Sequence, residues 1–273
     1  MSCGASMVMA GTVAMWPTRS GWPPAGALAA GAAILALLAV AAPAAEIDPV
    51  RVIDSLGAMA DFAGHLLVAP DWSYLPDLAT KMLETLAMAF LATVIAAVLS
   101  LPLGILAARN ATPHVAISHL TRQLLSVMRA LPELMWALVF VSAVGLGPLP
   151  GVMALAFVAT GFLGKFFAET IEAVDTGPVE GVAAHGAGWL QVRRYAILPQ
   201  VAPDFIGIVL YILDHNLRAA TVLGLVGAGG IGYDMVMSMR LFQYDRIGLI
   251  ALAIYVAVTV LDRASDQLRR RVI

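Results

Sequence analysis

The chain has 273 residues, of which 60% are hydrophobic and only 12% are charged; its mean hydropathy is +0.87 and its formal net charge is −2. Soluble domains carry about 25% charged residues, so this composition excludes an ordinary soluble protein, and the lack of a basic stripe excludes a nucleic-acid partner. Cys3 is the only cysteine, which excludes an internal disulfide.

Several apolar runs are long enough to cross a bilayer, which takes about 20 residues as a helix. The third run is too long for one span, and we expect its first part, residues 115–128, to lie along the cytoplasmic surface. The sixth run is short, and we expect it to extend back to Phe242. The sequence therefore predicts an all-α membrane protein with about six transmembrane helices. The predicted spans are 25–44, 82–108, 116–146, 150–171, 203–224 and 247–261.

The first apolar run allows two interpretations. Ala42-Pro43-Ala44 fits the cleavage site of a signal peptide, but the run exceeds the about 7–15 residues of a signal h-region. We therefore predict a first transmembrane helix at 25–45, with cleavage as the alternative. Residues 1–24 are rich in Gly, Pro and Ser, and we predict a flexible cytoplasmic tail that contains three alternative start methionines.

Lysine and arginine in the connections predict the orientation, because they favour the cytoplasmic side. Residues 46–78 are acidic and have Arg51 as their one basic residue, so we predict a periplasmic segment. An amphipathic stretch inside it, 49–68, is typical of a helix on the membrane surface. The connections after the second and fourth spans and the tail at 269–271 are basic. This pattern predicts that both termini lie in the cytoplasm.

The longest cytoplasmic connection, residues 172–203, far exceeds the about 4–6 residues of an ordinary loop. Pro178 suits the first turn of a helix, with Thr176 or Gly177 as its N-cap. Two glycines after that helix would allow a break.

A second short helix is predicted at 189–196, after the break at Gly186 and Gly188. Pro199 and Pro203 are expected to prevent a continuous helix from this segment into the fifth span. The connection would then form two short helices that project into the cytoplasm.

This connection resembles the EAA loop of ABC importer permeases. Two alanines of the family pattern are replaced here by Gly181 and Val182, and Ala196 replaces an isoleucine. The resemblance implies that the loop docks into a cleft on an ATPase subunit and transmits its closure. The matching residues, which we take as the coupling-loop candidates, are Glu180, Gly186, Leu198 and Pro199.

Four further stretches resemble the permease subunit of phosphonate ABC importers, and the resemblance covers residues 71–273. It implies a type I, methionine-importer-like permease fold with its core at 79–273. It also implies a path for phosphonate or a related oxyanion such as phosphite or phosphate, with a methionine-type permease of the same fold as the alternative. The four stretches are 100–110, 128–138, 144–155 and 216–232.

The same resemblance implies the partners: a second copy of the chain, a cytoplasmic ATPase dimer, and a periplasmic or lipid-anchored substrate-binding protein. It also implies that the chain lies in a bacterial inner membrane. No Walker A pattern occurs, and Gly164-Lys165 lacks both its glycine loop and its Ser or Thr. We therefore expect no enzyme activity and no cofactor in this chain, with ATP and Mg²⁺ bound by the partner ATPase.

Residues 227–232 satisfy the glycine pattern of dinucleotide-binding folds, but such a site requires a parallel sheet, and membrane spans flank the motif. We interpret these glycines as sites of tight backbone packing, or a gate, at the outer end of the fifth span. They are Gly227, Gly229, Gly230 and Gly232.

Asp214, His215 and Arg218 lie 11 to 15 residues into the predicted fifth span, near the bilayer middle. A charge at that depth costs about 2.5–3.5 kcal/mol. Asp214 and Arg218 can pair at a spacing of four residues. They form either a structural pair that offsets its own cost, or a pathway surface on which Arg218 attracts an anion.

Glu133, at the inner end of the third span, and Lys165 and Glu169, in the fourth, are predicted to make intramembrane pairs near the cytoplasmic mouth. His114 and His119 have no third ligand nearby in sequence, so no metal site is predicted.

Two hypotheses from other classes remain open. A secondary transporter could use Asp214 and Glu133 as proton or sodium carriers, but it commonly shows inverted repeats, which the sequence lacks. A membrane-embedded hydrolase would need a convergent catalytic set, and none is visible.

Overall fold

The structure is a computed structural model that describes residues 25–45, 48–66 and 71–272, so the predicted tail at 1–24 lies outside the described residues. Every regular element in these ranges is helical. The α-helices are α1 Ala25–Ala44, α2 Pro49–Leu66, α3 Leu75–Ala107, α4 Val115–Met128, α5 Glu133–Val144, α6 Pro148–Glu172, α7 Thr176–Ala184, α8 Trp189–Val192, α9 Leu198–Leu223, α10 Gly230–Arg240 and α11 Tyr244–Val272.

The chain divides into two compact units, residues 1–60 and 61–273. In the first unit, α1 has the bounds that the apolar run predicts. The amphipathic helix α2 begins at Pro49 after Asp48, whose carboxylate accepts a hydrogen bond from Val50 N at 2.9 Å. Proline at the first helical position and an acidic N-cap explain this start. The first N–H groups of a helix have no helical partner, so proline loses nothing by lacking one, and the Asp48 carboxylate accepts from another.

In the second unit, α3, α6 and α9 form the core, and small residues let their backbones approach. A Cβ on Gly104 of α3 would lie only 2.8 Å from the Phe167 Cβ on α6. Phe167 in turn stacks on Phe205 of α9, with the ring centroids 4.0 Å apart. Such small-residue contacts are what hold membrane helices together, because lipid supplies no hydrophobic driving force between them.

The predicted third span is broken. Helices α4 and α5 meet at an angle of 84° around residues 129–132. Pro132 N-caps α5, because a proline disfavours helix at the preceding residue and lacks the N–H needed to continue one. This confirms that 115–128 is a separate helix from the remainder of the run.

Among the described residues, five helices are long and apolar enough to cross a membrane, and the bent pair α4–α5 raises the number to six if it counts as one span. This confirms the predicted all-α fold with about six spans. The sixth span does not extend to Phe242, because that residue has a φ of 55° and α11 starts at Tyr244.

The expectation that Pro199 and Pro203 interrupt the chain before the fifth span is wrong. A π-helical turn at Arg193–Ile197 joins α8 to α9, and α9 then runs through both prolines. Pro199 lies in the first turn, where its missing N–H has no helical partner in any case. A π-helical turn, and not a helix break, therefore connects α8 to α9.

Candidate functional site

The first helix of the coupling loop, α7, is a projecting element with no buried residue. Its N-cap is Asp175, whose Oδ1 accepts a hydrogen bond from Gly177 N at 3.0 Å, rather than the predicted Thr176 or Gly177. A carboxylate satisfies free N–H groups at a helix start better than a hydroxyl or glycine does there. Glu180 lies exposed on this helix.

The loop turns where the glycines predict. Gly186 has a φ of +78°, its amide donates to Ala183 O at 3.0 Å, and nothing lies within 4 Å of a Cβ placed on it. Leu198 and Pro199, which begin α9, are both exposed. The four coupling-loop candidates therefore all lie on accessible surface: one on α7, one in the turn after it, and two at the start of α9.

The start of the loop is tied to the turn between α3 and α4. One Glu172 carboxylate oxygen accepts from Arg122 Nη2 and from Arg109 N, each at 2.7 Å. Arg122 Nε also donates to Ala107 O at 2.9 Å, and Ser118 Oγ donates to the same carbonyl at 2.6 Å. These bonds satisfy the free carbonyl at the end of α3 and join α4 to the end of α6.

The second half of the loop contacts the same turn. Trp189 Nε1 donates to Ala111 O at 3.1 Å, and Arg193 Nε donates to that oxygen at 3.0 Å. The Arg193 guanidinium also stacks on the Trp189 ring, 3.7 Å from its centroid. Sequence reasoning missed this contact, because nothing in the local pattern links residue 111 to residues about 80 positions away.

On α9, Arg218 is paired with Asp214, as their spacing predicts. The two partners differ in exposure: the Asp214 side chain is 10% exposed and the Arg218 side chain 53%. Because α9 runs from Leu198 to Leu223, the pair lies in the C-terminal half of the helix, with Arg218 about 8 Å from Leu223 at 1.5 Å per residue.

His215 lies one helical turn from Arg218 and has a partner that the sequence did not reveal. Its Nε2 lies 3.1 Å from Glu133 Oε1 on α5, and its side chain is 44% exposed. Lys165, which was expected to pair with Glu169, forms no ion pair with it in the part of the chain that the structure describes. Glu169 instead lines a cavity against α9 with Gln200 and other residues.

The glycine cluster after α9 makes a tight turn. Gly227, Gly229 and Gly230 have φ values of +80°, +77° and +70°, which L side chains rarely adopt. A Cβ on Gly232 would overlap the Thr221 carbonyl oxygen. The cluster therefore needs glycine for close backbone packing at this position, as predicted, whereas a gating role stays a prediction.

This turn leads into α10, a helix that the sequence reading missed because it is too short and polar for a span. Its first amides are capped from α3: Glu84 Oε1 accepts from Gly230 N at 3.2 Å, and Thr85 Oγ1 accepts from Ile231 N at 2.8 Å. Tyr74 OH donates to Asp234 at 2.6 Å.

Asp71, just before α3, joins the same end of the bundle to α11 through Arg246 Nε at 3.2 Å. The Ser73 hydroxyl donates to the Asp71 carboxylate, and together with Arg246 it holds the pKa of Asp71 below its ordinary value.

Comparison with known proteins identifies the family. Residues 100–273, more than half of the chain, match the family described as binding-protein-dependent transport system inner membrane component. Over 224 residues the chain is 43% identical to the phosphite transport system permease protein PtxC of Stutzerimonas stutzeri, covering 82% of this chain and 81% of that protein.

A second relative is the phosphate-import permease protein PhnE of Mycolicibacterium smegmatis, 44% identical over 208 residues, which are 76% of this chain and 39% of that protein. An inward-facing structure of the MetNI methionine ABC transporter superposes with a TM-score of 0.65 at 21% identity, over 74% of this chain and 99% of that chain. This likeness shows a shared type I permease fold.

Permeases of this family work with a separate ATPase and a substrate-binding protein, which excludes the secondary-transporter and hydrolase hypotheses. The chain belongs to the binding-protein-dependent transport system inner membrane component family, as a membrane-spanning ABC importer permease without an ATPase site of its own.

Proposed function

We propose that this chain forms the translocation path for a phosphorus oxyanion: phosphite, phosphate or a phosphonate. The observation that carries the proposal is the exposed face of α9, where Arg218 and His215 lie one turn apart. Each is paired with an acid, Asp214 and Glu133, so each partner offsets part of the cost of a membrane charge.

The geometry of this face suits an oxyanion. Arg218 Nη2 pairs with Asp214, and the side chain is half exposed, so the guanidinium can also reach an anion in the path. A guanidinium presents N–H donors in a fork that matches phosphate-like oxygens. Because Asp214 partly neutralises Arg218, binding would be weak enough for release, which transport requires. The names of the two relatives point to the same class of substrate.

The test is a substrate panel. The complex, reconstituted with its ATPase and binding protein in proteoliposomes, is given phosphite, phosphate, methylphosphonate and methionine in competition. We expect uptake of at least one phosphorus oxyanion and none of methionine. Uptake of methionine alone would establish the alternative, a methionine-type permease of the same fold.

Coupling is the second part of the proposal. Glu180, Gly186, Leu198 and Pro199 dock on the ATPase, which binds ATP and Mg²⁺, and their exposure supports this role. Glu180→Lys should leave the chain in the membrane but abolish stimulation of ATP hydrolysis by the loaded binding protein. Wild-type stimulation in that variant would contradict the docking assignment.

We also propose that two copies of the chain form the path. Helix α5 exposes Met135, Leu138 and Val139, and the charged face of α9 is also uncovered, so a second copy would enclose the path between them. Two differently tagged copies should purify together with the ATPase. Recovery of a different permease chain in place of the second copy would contradict the homodimer.

A further inference from the structure

The carbonyl of Ala111 joins the second half of the coupling loop to the membrane core. Ala111 is fully buried in the α3–α4 turn. Its oxygen accepts from Trp189 Nε1 at 3.1 Å and from Arg193 Nε at 3.0 Å, with Arg193 Nη2 as a third donor. We call this arrangement, Trp189 and Arg193 on the Ala111 carbonyl, the Ala111 clamp.

The two donor residues, Trp189 and Arg193, also contact one another. Besides stacking on the indole, Arg193 donates from Nη1 to the Trp189 carbonyl at 2.7 Å. They are four residues apart on the continuous helical stretch of α8 and the π turn, so both side chains reach one acceptor. Each of the three guanidinium nitrogens of Arg193 therefore has a partner, which gives the clamp a single defined geometry.

The start of the loop is held separately, by the Glu172 carboxylate on Arg109 N and Arg122, and Val179 of α7 is partly buried against the core. Helix α7 fully buries no residue, and Gly186 separates it from α8 by a turn with open space around it. The α3–α4 turn is itself held to α4 by Ser118 and Arg122. A push on α7 can thus reach α3 and α4 directly through the clamp, in addition to the backbone path into α9.

We propose that Trp189 and Arg193 are positioning residues for coupling: the Ala111 clamp makes α8 and the α3–α4 turn move as one body when the ATPase closes. Energetic coupling between distant sites travels through packed and hydrogen-bonded contacts of this kind. The inference rests on the proposed docking of the coupling loop, but not on the identity of the substrate.

Conservative variants separate the clamp from general stability. Trp189→Phe keeps the aromatic ring for stacking and removes the indole N–H, whereas Arg193→Met keeps an unbranched side chain and removes every donor. Either single change leaves a donor on the shared carbonyl, so we expect a small effect. The double variant leaves the buried carbonyl unsatisfied, and we expect a non-additive loss. Arg194→Met, at a neighbouring exposed arginine near the Tyr195 ring, is the matched control.

The direct measurement is a distance between spin labels. Leu190→Cys and Val115→Cys, both exposed, report on α8 and the start of α4 in a Cys3→Ser background. In the complex with its ATPase, we expect the same narrow distance distribution without nucleotide and after trapping with ATP and vanadate. The double variant should give a broadened or shifted distribution on trapping, and the Arg194→Met control should not.

The functional readout is ATP hydrolysis per assembled complex, stimulated by the binding protein loaded with the solute that the substrate panel identifies. We expect the double variant to lose at least about fivefold, the low end of typical coupling between sites. Unchanged stimulation and distances would overturn the proposal, as would reduced assembly with normal stimulation per complex. If the docking of the coupling loop were misassigned, Glu180→Lys would also keep wild-type stimulation. If only the role of the clamp were misassigned, Glu180→Lys would lose stimulation while the double variant kept it.

Discussion

The charges on α9 are arranged so that the acid, and not the base, is the buried partner. Asp214 is 10% exposed, and its Oδ1 has no hydrogen-bond partner among the described residues, whereas Arg218 is half exposed. A carboxylate in that position depends on its cation, because an unpaired buried charge is strongly destabilising. The converse dependence is weaker, since Arg218 can reach other anions or water.

This asymmetry predicts the outcome of a charge-removal series. Arg218→Gln should lower the amount of assembled complex, because it leaves Asp214 unpaired. The loss of stability should be smaller than the about 3–5 kcal/mol that follows when one partner of a fully buried pair is removed. The double variant Arg218→Gln, Asp214→Asn should restore assembly but transport poorly, because the path has lost its guanidinium. The measurement is uptake normalised to assembled complex.

Arg240→Gln is the control, since it removes one exposed arginine from the end of α10. Uptake near wild type in the double variant would show that the pair is structural and that the pathway charge lies elsewhere. A distorted α9 would be recognised by an ATPase that no longer responds to the loaded binding protein.

At the scale of the elements, two sharp turns require glycine for different reasons: the turn at Gly186 in the coupling loop and the turn between α9 and α10. Gly186 is needed for its positive φ and not for lack of space, because a Cβ there would meet nothing within 4 Å. The physical basis of the predicted break is therefore the backbone conformation of Gly186 and not close packing in the turn. The turn between α9 and α10 differs, since there backbone atoms occupy the space of a side chain.

We predict that Gly186→Ala costs about 1–2 kcal/mol of left-handed strain in the loop, while Gly186→Asn, which tolerates that conformation, costs less. Gly186→Glu adds a charge on the exposed turn and should abolish substrate-stimulated ATP hydrolysis with the chain still in the membrane. Stimulated ATPase activity of the three variants is the measurement. Equal losses for Ala and Asn would show that φ is not the cause.

Gly232→Ala tests the second turn. Its Cβ would overlap the Thr221 carbonyl, so α9 and α10 would have to separate, and we expect failure of assembly. Gly181→Ala is the matched control, because it places the same methyl group in a helix with nothing within 4 Å. The yield of folded protein after detergent extraction measures both. A normal yield of Gly232→Ala would mean that this turn packs less closely than described.

At the scale of the whole molecule, the basic connections predict six spans with both termini in the cytoplasm. Cysteines placed at Asp54 and Arg270, in a Cys3→Ser background, should react with a membrane-impermeant reagent from opposite sides of sealed vesicles. Labelling of both from the same side would refute this topology. Removal of residues 1–44 from the mature chain would instead show that the first helix is a cleaved signal.

Much of the fold could be predicted from the apolar runs, because in lipid the backbone must satisfy its hydrogen bonds within each segment. The predicted run 150–171 corresponds to α6, Pro148–Glu172, and the run 25–44 corresponds to α1. Helix ends were less predictable: α3 starts at Leu75 and not at 82, since a charged residue such as Lys81 ends an apolar run without ending a helix.

Local spacing also predicted the pair of Asp214 with Arg218 and the break at Gly186, whereas the pair expected from the same spacing of Lys165 and Glu169 is not formed among the described residues. It could not predict the contacts of His215 with Glu133, 82 positions away, or of Trp189 with Ala111, 78 positions away. Composition and period describe how a segment interacts with lipid and with itself. Which buried carbonyl or carboxylate a side chain reaches depends on how α3, α5, α6 and α9 pack, and that packing brings together residues with no relation in the sequence.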